Sequence, residues 1–155
     1  MAKQSPFKFR LQPVLEIREK DEDKAKEQLA ETIQLRTQGR EMLQSAEQLV
    51  EEANEAERAA ARRAVTVHEL AAQQLWRERL ERHRLAAGQQ LEQAENEVDL
   101  SRRALVHAHQ RRAALDRLKD IKRDEHRVHL EGLEAAEVDE IALQQHHRRM
   151  RGHHA

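Results

Sequence analysis

Cysteine and tyrosine are absent from this chain, and its 155 residues include one tryptophan, two phenylalanines, two prolines and four glycines. Without cysteine there is no disulfide and no thiolate metal site, a composition suited to a reducing compartment. With 2% aromatic and 38% apolar residues the chain cannot fill a globular core. Four scattered glycines and no GxxxxGK[ST] run leave nothing to cradle a nucleotide, and Ser5, Ser45 and Ser101 sit in no nucleophile-elbow context. No enzyme is expected. The 28 basic residues balance 29 acidic ones, so nucleic acid is not an expected partner. The N-terminus MAKQSPFKFR has no signal-type apolar core, and nothing approaches the roughly 18 apolar residues of a membrane span. The expectation is a cytoplasmic protein without direct membrane insertion.

What remains is Ala, Glu, Gln, Arg, Lys and Leu, which form long helices sharing a narrow seam or stay disordered. Apolar or small residues recur at spacings of three and four through Val14, Leu15, Ala25, Leu29, Leu35, Met42, Ala46, Leu49, Ala53, Ala56 and Ala60. The pattern resumes through Leu91, Ala94, Val98, Leu105, Ala108 and Leu115, then loses regularity around Leu118, Ile121, Val128, Leu133 and Ile141. This predicts an all-α coiled coil with a stutter near its end. Pro13 suits a first helical turn. A single helix over the rest would reach roughly 200 Å at 1.5 Å per residue, so either a fold-back or a parallel homodimeric scaffold is required. RRAVTVHE at 62–69 carries β-branched residues, with Thr66 three before Glu69, the spacing of a capping box. Gly88 is the alternative break. The turn at 63–66 is preferred. It gives one antiparallel two-helix hairpin over 1–150, with helix 1 at about 13–63, a longer helix 2 at about 67–148, and a frayed basic, histidine-rich tail at 149–155.

Ten histidines raise the question of metal, but His126 and His129, at i, i+3, lack a third ligand, and solvated histidines with no cofactor are expected. Charge is uneven. Residues 41–57 hold six glutamates and no Lys or Arg, while 102–129 hold nine Lys or Arg against four acids. Solvated coiled-coil flanks account for both, and the basic stretch is the better docking candidate.

FKFRLQPVLEIRE at 7–19, KDIKRDEHRVH at 119–129, and Glu134 followed by Asp139 and Glu140 resemble the flagellar export protein FliJ family, from Phe7 to about Arg148. Ala135 and Ala136 depart from that family's usual polar residues. The stalk protein of virulence type III secretion systems is a neighbouring possibility, but the N-terminal motif favours the flagellar branch. The resemblance implies a shaft that enters the hexameric ring of the export ATPase FliI, promotes its assembly and activity, contacts the export gate FlhA and recycles export chaperones. It implies a place at the cytoplasmic face of the inner membrane at the flagellar base. It also places the ring contact on Phe7, Phe9, Leu11, Val14, Leu15, Leu118, Ile121, Glu134, Asp139 and Glu140, although the leucines and the valine could instead close the hairpin.

Trp76 lies in HELAAQQLWRERLERH, in one stripe with Leu80, His83 and Ala87. That stripe extrapolates into Leu91, Ala94 and Val98, which would make Trp76 a seam residue. Alternatively Ala71 and Leu75 face the partner helix and the stripe points outward. Physics leaves both open. FliJ proteins carry an aromatic followed four residues later by leucine in this region, which implies an export-gate contact by Trp76, Leu80, His83 and Ala87.

Overall fold

The structure, a computed structural model, describes residues 6–152. It contains two helices, α1 at Gln12–Ala60 and α2 at Val67–Gly152, with no strand among the described residues. The fold is an antiparallel helical hairpin whose second helix is the longer.

Proline and the backbone set the start of α1. Gln12 N donates to Phe9 O at 3.1 Å, and Leu15 N donates to Leu11 O at 2.9 Å, while Pro13, which has no N–H, occupies the first turn where none is needed. The helix ends at Ala60, three residues before the expected 63. Arg62 N and Arg63 N close it with short-range bonds to Ala59 O and Ala60 O at 3.2 and 3.1 Å. α2 then opens on a reciprocal cap. Thr66 N donates to Glu69 Oε2 at 3.0 Å, and Glu69 N donates to Thr66 Oγ1 at 3.3 Å. α2 continues to Gly152, beyond the expected end near 148, and of the expected tail residues 153–155 lie outside the described residues.

Gly88 does not break α2. A Cβ placed there would meet no atom within 4 Å, so Gly88→Ala gains helix propensity without a clash. A stabilisation of about 1 kcal/mol, raising Tm by roughly 2–4 °C in a thermal melt, is expected. A fall in Tm would show that something packs against this position.

The contacts divide the chain into two units, residues 21–109 and residues up to 20 with 110 onward. Within 21–109 the direction of pairing is direct: Glu57 meets Arg77 at 3.4 Å, Arg40 meets Glu95 at 3.3 Å, and Glu22 meets His109 at 3.6 Å. As α1 numbers fall, α2 numbers rise, so the strands of the coil are antiparallel. Ala46, Val50, Ala60, Leu80, Ala87 and Val98 are buried here. At Gly39 the helices come close enough for a Cβ to touch Leu91 at 3.5 Å.

The seam is more polar than the sequence suggested. On α1, Leu15, Glu22, Leu29, Arg36, Leu43, Val50 and Glu57 recur every seven residues, and none is exposed. On α2 the corresponding row runs Leu80, Ala87, Ala94, Ser101, Ala108 and Leu115. Val14, Leu35, Met42, Leu49 and Ala56, expected in the seam, are exposed beside it. A strict heptad row through Glu22 and Arg36 must displace these apolar residues onto the flank. Glu22 is 4% exposed and is held by Lys26 Nζ at 2.9 Å as well as by His109. The desolvation of such a buried charge offsets much of what its partners return, so it adds little net stability.

The expected stutter is also unnecessary. Lys119 and His126 stay half-buried at seven-residue spacing, whereas Ile121 and Val128 are exposed on another side of α2. From residue 131 to 151 every side chain is exposed, so this end of α2 is a solvated single helix.

Candidate partner-docking surfaces

In the unit that joins the start of α1 to the later part of α2, residues 6–11 precede the first helix and lie against α2. Phe7 meets the His126 ring edge-on at 5.8 Å between centroids, and the Arg123 guanidinium lies 5.9 Å from the Phe7 ring centroid. Lys119 Nζ donates to Gln12 Oε1 at 2.9 Å and ties the first turn of α1 to the same face. Lys119, Lys122, Arg123 and His126 are at i, i+3, i+4 and i+7, which places them on one side of α2. That spacing was legible in KDIKRDEHRVH. What the sequence did not reveal is that Phe7 comes to rest on this row.

Four of the expected ring-contact residues are brought together. Phe7, Phe9, Leu11 and Leu118, all half-buried, line one groove of about 530 Å³, whose remaining walls are Lys8, Arg10, Lys122 and His126. Leu15 lies 2% exposed and Val14 at the edge, so Leu15 holds the helices together and is not a surface. Ile121 lines a separate depression with Asp124, Glu125, Val128 and His129. Glu134 lies beside Phe7 in a third, with Arg127, Leu130 and Glu131. Asp139 and Glu140 stand on the solvated end of α2, where Gln144 Nε2 donates to Glu140 Oε1 at 3.4 Å.

The second surface lies in the 21–109 unit. Trp76 is 53% exposed and lines a shallow groove of about 260 Å³ with Leu49, Glu52, Ala53, Ala56, Gln73 and Leu80. The indole flanks the seam, neither inside it nor clear of it. Leu80 and Ala87 are buried, which removes them as direct contacts for another protein, while His83 is exposed. Ala71 and Leu75, the alternative inward face, are exposed instead. A flanking surface missed in the sequence therefore joins Trp76 to Leu49 and Ala56 on α1. Its signal in the sequence is Leu35, Met42, Leu49 and Ala56 at seven-residue spacing, a pattern that hydrophobicity alone cannot tell from a seam. Arg84, half-buried on α2, donates from Nε to Glu81 Oε2 at 2.8 Å; that hydrogen bond and the Glu81 charge raise its pKa.

The family model described as flagellar FliJ protein matches residues 7–151. The chain belongs to the FliJ family. No curated protein and no solved structure matches it. The family match spans both the N-terminal arm and the solvated end of α2, so both candidate surfaces lie inside the FliJ region, and the chain is a component of flagellar protein export. Among the described residues, no helix is long and apolar enough to cross a membrane.

Proposed function

We propose that this FliJ-family chain is a non-catalytic stalk that inserts into the hexameric ring of the export ATPase FliI, promotes its assembly and activity, and links it to the export gate FlhA and to export chaperones at the cytoplasmic face of the inner membrane. Flagellum assembly and motility depend on it in this reading. The observation that carries it is the N-terminal arm laid on α2, which gathers Phe7, Phe9, Leu11 and Leu118 beside a basic row. A hairpin of two long helices is in keeping with a stalk role. Val14 lies at the edge of this surface, Ile121 offers a further ring contact from a separate depression on α2, and Glu134, Asp139 and Glu140 supply acidic contacts toward the end of that helix. Trp76 and His83, backed by buried Leu80 and Ala87, form the gate-facing surface.

The test is steady-state ATP hydrolysis by the cognate FliI during titration with this protein, with the protein alone as control. Saturable stimulation by a protein that hydrolyses nothing itself, with Phe9→Ala reducing it by at least about tenfold, is the expected result. An unchanged rate and hexamer population, under conditions where FliI is active, would overturn the stalk role.

A further inference from the structure

We propose that the groove under the N-terminal arm receives an acidic segment of FliI bearing a bulky apolar residue. This rests on the ring-insertion reading and names the chemistry of its contact.

The groove has an apolar floor and a basic rim. Phe7, Phe9, Leu11 and Leu118 supply half-buried aromatic and aliphatic surface, so a bulky apolar group gains by leaving water there. Lys8, Arg10, Lys122 and His126 complete the walls, and no acidic residue lines them. Lys122 Nζ is engaged by Glu125 at 2.8 Å and Arg123 by Asp120 at 3.6 Å. Lys8 and Arg10 have no acidic partner among the described residues.

Two exposed cations with no acidic partner among the described residues, bordering a half-buried apolar floor, attract a carboxylate-rich segment and repel a basic one. Phe7 is pinned by Arg123 and His126, which presents the arm as a preformed wall and lowers the ordering cost of binding. A groove of about 530 Å³ is of the size that takes one large side chain and its neighbours. A second copy of this chain, offering its own acidic 41–57 stretch, and an anionic lipid surface are the competing occupants.

The experiment measures binding of the full-length protein to purified FliI at about 50 mM and about 500 mM NaCl, where screening lengths differ several-fold. The parent is compared with the double variant Lys8→Glu and Arg10→Glu. Both residues precede α1 and are exposed, so unchanged helicity by circular dichroism is expected and serves as the folding control. In parallel, a benzophenone amino acid at position 9 is photo-crosslinked to FliI and the captured segment is sequenced. The expected result is roughly tenfold or more weaker binding by the variant at low salt, a gap that narrows at high salt, and capture of an acidic FliI segment with an apolar anchor. Binding to FliI that is insensitive to salt and to the charge reversal overturns this inference and leaves the ring reading standing. No binding of the parent to FliI overturns both. Two further results overturn it in favour of the competitors: concentration-dependent self-association by sedimentation that the reversal abolishes, or loss of binding only to vesicles of roughly 7:3 phosphatidylcholine and phosphatidylglycerol.

Discussion

Val98→Asp is expected to destabilise the hairpin by about 3–5 kcal/mol. Val98 is 1% exposed and, with Leu15, is one of the two largest fully buried side chains. A carboxylate there finds no partner designed for it, and an uncompensated buried charge costs about 3–5 kcal/mol. The total stability of a domain is only about 5–15 kcal/mol, and a seam carrying Glu22, Arg36, Glu57 and Ser101 has little surplus. The expected fall in Tm, followed at the helical band by circular dichroism, exceeds roughly 10 °C. The effect is pH-dependent with a definite sign. Burial raises the folded-state pKa of the introduced Asp above its unfolded value of about 3.9. The deficit is therefore full above the folded pKa and shrinks relative to the parent as pH falls through it toward the unfolded value. A Tm within about 2 °C of the parent at neutral pH would show that Val98 is not in the seam.

Trp76→Ala separates the two readings of the tryptophan by effect size on two axes. With the indole 53% exposed, truncation removes only part of its burial and replaces a weaker helix former with the best one. The net loss of stability is about 1 kcal/mol, or roughly 2–4 °C in Tm. If the flanking surface of Trp76, Leu49 and Ala56 anchors the export gate, the same substitution behaves as a hot spot and weakens FlhA binding by about 2 kcal/mol, roughly thirtyfold. Calorimetric titration of FlhA against the parent and the variant reads this directly. A Tm loss of more than about 10 °C with FlhA affinity unchanged would make Trp76 structural and remove the gate contact. His83→Ala, at an exposed position one heptad further along α2, should move FlhA affinity in the same direction with no loss of Tm.

Composition and spacing carried the architecture a long way. Two prolines near the N-terminus, the capping box at Thr66 and Glu69, and heptads with almost no glycine set two long helices with a turn between them, because these are local signals with local causes. The arm motif at 7–15 and the basic row at 119–126 were legible as separate patterns. Which residues face the partner helix was not a local question. Hydrophobicity alone assigned Leu35, Met42, Leu49 and Ala56 to the seam, yet the seven-residue rows run through Glu22, Arg36 and Glu57, and only the pairing of the two helices chose between rows one residue apart. The same choice buried Leu80 and Ala87 and left Trp76 on the flank. Tertiary structure also decided that Phe7 rests against Arg123 and His126, residues more than a hundred positions away. Sequence periodicity is a property of one helix, whereas a groove or a seam is a property of two surfaces in register, and register is fixed only when the chain folds back on itself.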